Sequence, residues 1–143
     1  DGRAQLIDDY GHHPTEVSAT LQAARAAFPG RRVVMVYQPH RYTRTRDHFD
    51  DFVSVLGEGG LLILLDVYAA GEAPIDGADS RTLANAIRAR GAIDPVVVSA
   101  QGQLPTVLRG LLADNDVLLM QGAGDIGRLA ATLQGAESLE ALQ

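Results

Sequence analysis

The sequence predicts an α/β protein built on a doubly wound, mostly parallel sheet with helices on both faces. Three observations lead there. Short apolar runs alternate with longer segments of helical spacing along the chain, which is the pattern of repeated strand–helix–strand units. The runs Val33-Val34-Met35-Val36-Tyr37 and Leu61-Leu62-Ile63-Leu64-Leu65 are apolar at every position, as parallel strands are when helices cover both faces. No linker, repeat or low-complexity tract interrupts the alternation, so residues 1–143 read as a single domain. A domain of this length hides roughly 68–70% of the surface its unfolded chain exposes, enough for a core.

The elements follow in order. Gln5 to Tyr10 is the first strand, with Asp8 and Asp9 near its end. Gly11-His12-His13-Pro14 turns the chain into a helix, because proline suits the first helical position; Val17, Leu21, Ala24 and Phe28 then fall at helical spacing until Pro29-Gly30. Arg32 to Tyr37 is the second strand. Gln38 to Arg46 follows as a cationic loop, and the next helix carries Phe49, Phe52, Val53 and Leu56 on one face before Gly57 to Gly60 breaks it. Leu61 to Leu65 is the third strand. A polar stretch containing Pro74, Asp76, Gly77 and Asp79 leads to Ser80, the expected N-cap of a helix with Leu83, Ala84, Ala86 and Ile87. Pro95 to Val98 is a fourth strand, Leu104 to Leu112 a helix and Asp116 to Gln121 a fifth strand. Gly122 to Gly127 opens the last helix, and residues 135–143 read as a helical or frayed tail.

Composition narrows the function. The net charge of -6 argues against general nucleic-acid binding, which depends on many cations neutralising phosphates. All 12 basic side chains are arginines. The absence of lysine removes Schiff-base chemistry and the lysine of a GxxxxGK[ST] phosphate loop. Cysteine is absent, no apolar run reaches the ~18 residues of a membrane span, and no basic-then-apolar leader opens the sequence, so a cytoplasmic protein without membrane insertion is expected.

The chemically useful residues fall at the ends of the strands, in the segments Asp9 to His13, His40 to Arg46, Asp66 to Glu72 and Gly122 to Asp125. In a parallel sheet those ends share one edge, where open α/β sheets bind ligands. Arg41 and Arg44 are three apart, so they approach each other if the segment has entered a helical turn, and two guanidinium forks suit a carboxylate. The competing reading is a pair of solvated arginines balanced by Asp47, Asp50 and Asp51. Arg46 fits that reading well, with an aspartate beside it and another four residues on. His12 and His13 are adjacent and their side chains diverge, so no shared metal is expected. Gly122-x-Gly124-x-x-Gly127 matches the dinucleotide pattern, but that motif belongs to a first strand–helix unit, and a tight turn that brings the last helix close to the sheet explains it as well. A nicotinamide dinucleotide module and a receiver-like domain with Asp8, Asp9 and Asp66 at its strand ends stay open as other classes.

Together, the segments DDYGHHPTE (Asp8 to Glu16), QPHRYTRT (Gln38 to Thr45), DVYAAGE (Asp66 to Glu72) and GAGDI (Gly122 to Ile126) resemble the carboxyl-terminal domain of the Mur ligases, in the branch acting on L-alanine. The resemblance covers nearly the whole chain. It implies a Rossmann-like third domain of a three-domain enzyme in peptidoglycan biosynthesis. The absent amino-terminal domain would bind UDP-N-acetylmuramate and the absent central domain ATP and Mg2+. The implied reaction joins L-alanine to the sugar's lactyl carboxylate through an acyl phosphate, and the domain alone would be inactive. By similarity, Tyr10, His12, His40, Arg41 and Arg44 would surround L-alanine, with the two arginines near its carboxylate, and Asp9 would contact the ATP ribose. Asp66, Tyr68, Glu72 and Asp125 match the pattern without an assigned role. A related ligase that recycles muropeptides is the alternative within the family.

Overall fold

The computed structural model describes residues 5–91 and 93–133; the tail expected over residues 135–143 lies outside the described residues. Five strands form one sheet: β1 (Gln5–Asp9), β2 (Val33–Tyr37), β3 (Leu61–Leu65), β4 (Val96–Val98) and β5 (Val117–Gln121). Their order is β1-β5-β2-β3-β4, and every pairing is parallel, so the sheet is more uniform than "mostly parallel". The helices are α1 (Pro14–Ala27), α2 (Tyr42–Asp47), α3 (Phe49–Leu56), α4 (Ser80–Ala89), α5 (Leu104–Leu111) and α6 (Ile126–Leu133).

Alternation along each strand divides the core. Val33, Met35, Tyr37, Leu62, Leu64, Val117 and Leu119 pack against α1, α3 and α4 through Val17, Leu21, Phe52, Val53, Leu56, Leu83 and Ile87. Val34, Val36, Ile63, Leu65, Leu118 and Met120 face the other way, onto Leu104 and Leu108 of α5 and Ile126, Ala130 and Leu133 of α6. Both faces are therefore covered, and the apolar runs of β2, β3 and β5 follow from that burial.

The same division opens a crevice. The chain leaves β1 and β2 toward the α1 and α3 face, but leaves β5, which lies between them, toward the α6 face. Loops that part in this way leave a gap beyond the strand ends, where ligands of open α/β sheets bind. Asp9, Gln121 and Tyr37 are in register across β1, β5 and β2, so the three strands end level and the loops beyond them start from one line.

Two local expectations are corrected. The stretch after β2 is not a loop throughout, since Tyr42–Asp47 is helical and His48 (φ -117) separates α2 from α3. The N-cap of α4 is Asp79, not Ser80: the Asp79 carboxylate accepts from Thr82 N at 2.7 Å. Ser80 is the first helical residue, and its buried hydroxyl instead donates to Leu65 O, tying α4 to the end of β3. Two residues of good capping chemistry stood side by side, and this tertiary bond decided between them.

Candidate functional site

The four strand-end segments meet. Gly122 N donates to Asp9 O (3.1 Å), Gln38 N to Gln121 O (3.1 Å), Tyr68 N to Pro39 O (2.8 Å) and Arg41 N to Tyr68 O (2.8 Å). These bonds join the ends of β1, β5, β2 and β3 in one continuous edge. Buried glutamines reinforce it. Gln121, fully buried, donates through Nε2 to Asp9 Oδ2 (2.6 Å) and Gly11 O (2.9 Å). Reversing this amide would set its oxygen against the Asp9 carboxylate, so its orientation is fixed. Gln38 Nε2 donates to Asp125 Oδ1 (2.6 Å) while its Oε1 accepts from Ile126 N (3.1 Å), the first residue of α6.

On this frame sits a row of rings. Tyr10, His12, His40 and Tyr68 follow one another with centroid separations of 5.9, 5.6 and 5.5 Å, and His40 and Tyr68 are nearly parallel at 14°. Tyr10 is 72% exposed and Tyr68 38%. Arg44 Nη1 lies 2.9 Å from His40 Nδ1. A guanidinium only donates, so Nδ1 holds the lone pair and the imidazole is neutral with its proton on Nε2. Burial, then the nearby charges of Arg44, His12 and Arg41, push His40 below its ordinary range, with Glu72 opposing, in agreement with that tautomer.

Arg41 stands at the start of α2 with φ 71 and ψ 139. For a residue with a side chain this backbone costs about 1–3 kcal/mol, and the surroundings must impose it. They do so from both ends: its N–H is taken by Tyr68 O, and its carbonyl accepts from Thr45 N (3.3 Å) and Thr45 Oγ1 (2.9 Å). Neither Arg41 nor Arg44 forms an ion pair with a carboxylate among the described residues. Arg46 does, with Asp47 at 3.0 Å, as its spacing suggested.

Asp9 is held from three directions, its Oδ2 accepting from Gly11 N (3.0 Å), Thr20 Oγ1 (3.0 Å) and Gln121 Nε2. The bond to Gly11 shapes the turn that presents Tyr10 and His12. The adjacent histidines diverge: His12 joins the ring row, while His13 contacts His48 at 4.5 Å between α1 and α3. A groove of about 640 Å³ opens beside that contact, lined by His13, Ser18, His48, Asp51 and Val55, and holds none of Asp9, Tyr10, His12, His40, Arg41 or Arg44. Among the described residues no group of three or more histidines or carboxylates is placed to hold a metal, and no helix is long and apolar enough to cross a membrane.

The glycines after β5 have a packing explanation. A Cβ on Gly124 would come within 2.6 Å of Gln38 Oε1 and Tyr68 Cγ, and one on Gly122 within 2.9 Å of Gln38 O. Gly127 meets nothing within 4 Å. The first two let the α6 turn close over Gln38 and Tyr68, as the tight-turn reading requires.

Gln38, Gln121, Tyr68 and Glu72 were given no role by sequence reasoning. For the glutamines a signal existed, since each is a polar residue directly at the end of an apolar strand run. Nothing local marks Tyr68 as the ring that stacks on His40, because the contact joins loops after different strands.

A parallel α/β domain with a cationic, ring-lined edge is the class these features define. The family described as the Mur ligase glutamate ligase domain matches residues 1–124, and the chain belongs to that family. Mur ligases are ATP-dependent ligases that use ATP and Mg2+. Among solved structures, the UDP-N-acetylmuramate–alanine ligase of Thermotoga maritima is similar with TM-score 0.70 and 26% identity, over 90% of this chain and 25% of that one. A Haemophilus ducreyi domain, described as part of a UDP-N-acetylmuramate:L-alanyl-γ-D-glutamyl-meso-diaminopimelate ligase, gives TM-score 0.68 at 21% identity, over 99% of this chain and 94% of that one. A murein peptide ligase of Psychrobacter arcticus gives 0.74 at 18%, over 99% and 28%. The chain thus spans 25% of the Thermotoga ligase and 28% of the Psychrobacter one.

Proposed function

We propose that this chain is the amino-acid-binding domain of an ATP-dependent ligase that joins L-alanine to UDP-N-acetylmuramate. The observation that carries the reading is the arginine pair: Arg41 and Arg44 stand at the ligand-binding edge without a carboxylate partner among the described residues. A small amino acid offers few handles, and its carboxylate is the one that guanidinium forks recognise. In this reading His40 Nε2–H, Tyr10 and His12 complete the wall around L-alanine. Asp9 has all three of its bonds on Oδ2, which leaves Oδ1 for a ribose hydroxyl of ATP. A chain without lysine has no phosphate loop, so ATP phosphates and Mg2+ fall to a central domain, and the UDP-sugar to an amino-terminal one. When these are bound, the sugar's carboxylate becomes an acyl phosphate. The amine of L-alanine attacks its carbonyl carbon, and phosphate leaves from the tetrahedral intermediate. The part of this domain is positioning and charge stabilisation.

The muropeptide-recycling ligases are the second reading, because the Psychrobacter structure superposes slightly better (TM-score 0.74). L-alanine is favoured by the higher identity, 26%, to the Thermotoga ligase, and by the tyrosine and arginine segments Asp8 to Glu16 and Gln38 to Thr45, which carry the family resemblance. The test is kinetic. Arg44→Ala in the three-domain ligase should raise KM for L-alanine at least tenfold, since truncating one partner of a desolvated charge pair costs about 2–5 kcal/mol. KM for ATP should hold. An unchanged KM for L-alanine would exclude the carboxylate role, and turnover by the present chain alone would refute the domain assignment.

A further inference from the structure

Glu72 lies in the loop after β3, yet its carboxylate is spent on a different loop. Its Oε1 accepts from Thr43 N at 3.1 Å and its Oε2 from Thr43 Oγ1 at 2.5 Å. Thr43 sits in the first turn of α2, between Arg41 and Arg44. Four residues before Glu72, Tyr68 brackets the same segment, accepting from Arg41 N and donating to Pro39 O, and its ring stacks on His40. The stretch from Tyr68 to Glu72 therefore grips the stretch from Pro39 to Thr43 at both ends, and the strained peptide of Arg41 lies inside the grip.

We propose that Glu72 is a positioning residue for amino-acid binding: by holding Thr43 through both carboxylate oxygens it fixes the first turn of α2 and so the separation and direction of Arg41 and Arg44. The inference rests on the reading of this edge as a carboxylate site. A free chain would relax Arg41 out of its positive φ, and the tether at Thr43 opposes that by pinning the residue two positions on. Glu72 does this without an ion pair, so the arginines stay available to a substrate. The hydrogen bonds from Thr43 hold the Glu72 carboxyl below its ordinary range, so the tether is intact at neutral pH and released in acid.

Charge alone predicts the opposite effect, which makes the test decisive. If Glu72 merely tempered the arginines, its removal would strengthen the binding of a substrate carboxylate and lower KM for L-alanine. If it positions them, Glu72→Ala should raise that KM roughly tenfold while KM for ATP stays within about twofold, and Glu72→Gln, which keeps one acceptor oxygen, should fall between. A KM for L-alanine that is unchanged or lower in Glu72→Ala overturns the proposal. A second measurement is independent of the substrate. The present chain spans 94% of the Haemophilus structure, which is that of a domain by itself, so a domain of this fold stands alone, and NMR can follow the present chain. The Thr43 amide proton should titrate with Glu72 at a midpoint below 4.5, and Thr43→Val should move the Glu72 midpoint upward. A Thr43 amide indifferent to acid pH overturns the clamp. A wild-type ligase that ignores L-alanine would overturn the substrate reading alone, and the clamp would then stand or fall on the Thr43 amide.

Discussion

Gly124→Ala and Gly127→Ala change the same glycine motif by the same methyl group, and the structure gives them opposite signs. At Gly124 the new Cβ would sit 2.6 Å from Tyr68 Cγ, 2.8 Å from Tyr68 Cβ and 2.6 Å from Gln38 Oε1. Tyr68 Cβ is fixed by the backbone, so no change of rotamer relieves its contact at 2.8 Å. Gln38 is 2% exposed and uses both ends of its amide, so it cannot retreat without breaking its bonds to Asp125 and Ile126. Overpacking of this kind costs about 1–3 kcal/mol. At Gly127, within α6, nothing lies within 4 Å of the added carbon. There alanine removes backbone freedom from the unfolded chain and should stabilise by about 0.4–1 kcal/mol. Urea unfolding of the isolated domain, followed by circular dichroism, measures both against wild type at a common m-value. Gly124→Ala should move the midpoint down and Gly127→Ala up. Equal destabilisation by both, or a neutral Gly124→Ala, would refute the packing account and return the motif to a ligand role. Because a displaced Tyr68 would drag the backbone that holds Arg41, Gly124→Ala should also raise KM for L-alanine in the three-domain ligase.

His40 should titrate below 6.5 in the folded domain, because burial and then the charges of Arg44, His12 and Arg41 disfavour its proton while Glu72 only partly compensates. The sign follows: the stability contributed by keeping this imidazole neutral is complete above pH 6.5 and is lost as pH falls through the lower folded-state value. Imidazole NMR against pH checks it, and Arg44→Gln should raise the midpoint without restoring 6.5, since burial remains; a midpoint that ignores the substitution would refute the Nδ1 assignment. Asp79→Ala removes the bond to Thr82 N and should cost about 1 kcal/mol in thermal or urea unfolding. No loss there would remove Asp79 as the cap of α4.

The sheet was legible because its signal is local: β2, β3 and β5 up to Met120 are apolar runs, and burial on both faces demands that composition. The helix Tyr42–Asp47 was not, because only Thr45 in it is buried and there is no apolar face to mark its period. Glu72, which tethers its first turn, comes from beyond the following strand. Ser80 misled for a related reason, its hydroxyl being claimed by Leu65 O from another element. The convergence at the strand ends could be inferred from parallel topology alone. Which arginine would be consumed by a neighbouring carboxylate could be inferred only for Arg46, whose partner is next in sequence.

The edge keeps its cations uncompensated by satisfying its anions in another way. Asp9 is held by an amide N–H, a threonine hydroxyl and the Gln121 amide. Burial pushes the Asp125 carboxyl up, but the amides of Gln38 and Gln101 outweigh it and hold the group below its ordinary range. Glu72 is held by Thr43. The Glu72 and Asp125 carboxyls, held below their ordinary range, are charged at neutral pH, and all three carboxylates have neutral donors as their hydrogen-bonding partners. Had Arg41 or Arg44 been recruited to stabilise one of them, an arriving carboxylate would have to break that pair before binding, and its affinity would fall by the strength of the pair. Neutral donors remove that competition. A protein of net charge -6 can thereby keep a local cationic site, with the glutamines after the apolar strands and the threonines at Thr20 and Thr43 doing what arginines would otherwise be drawn into.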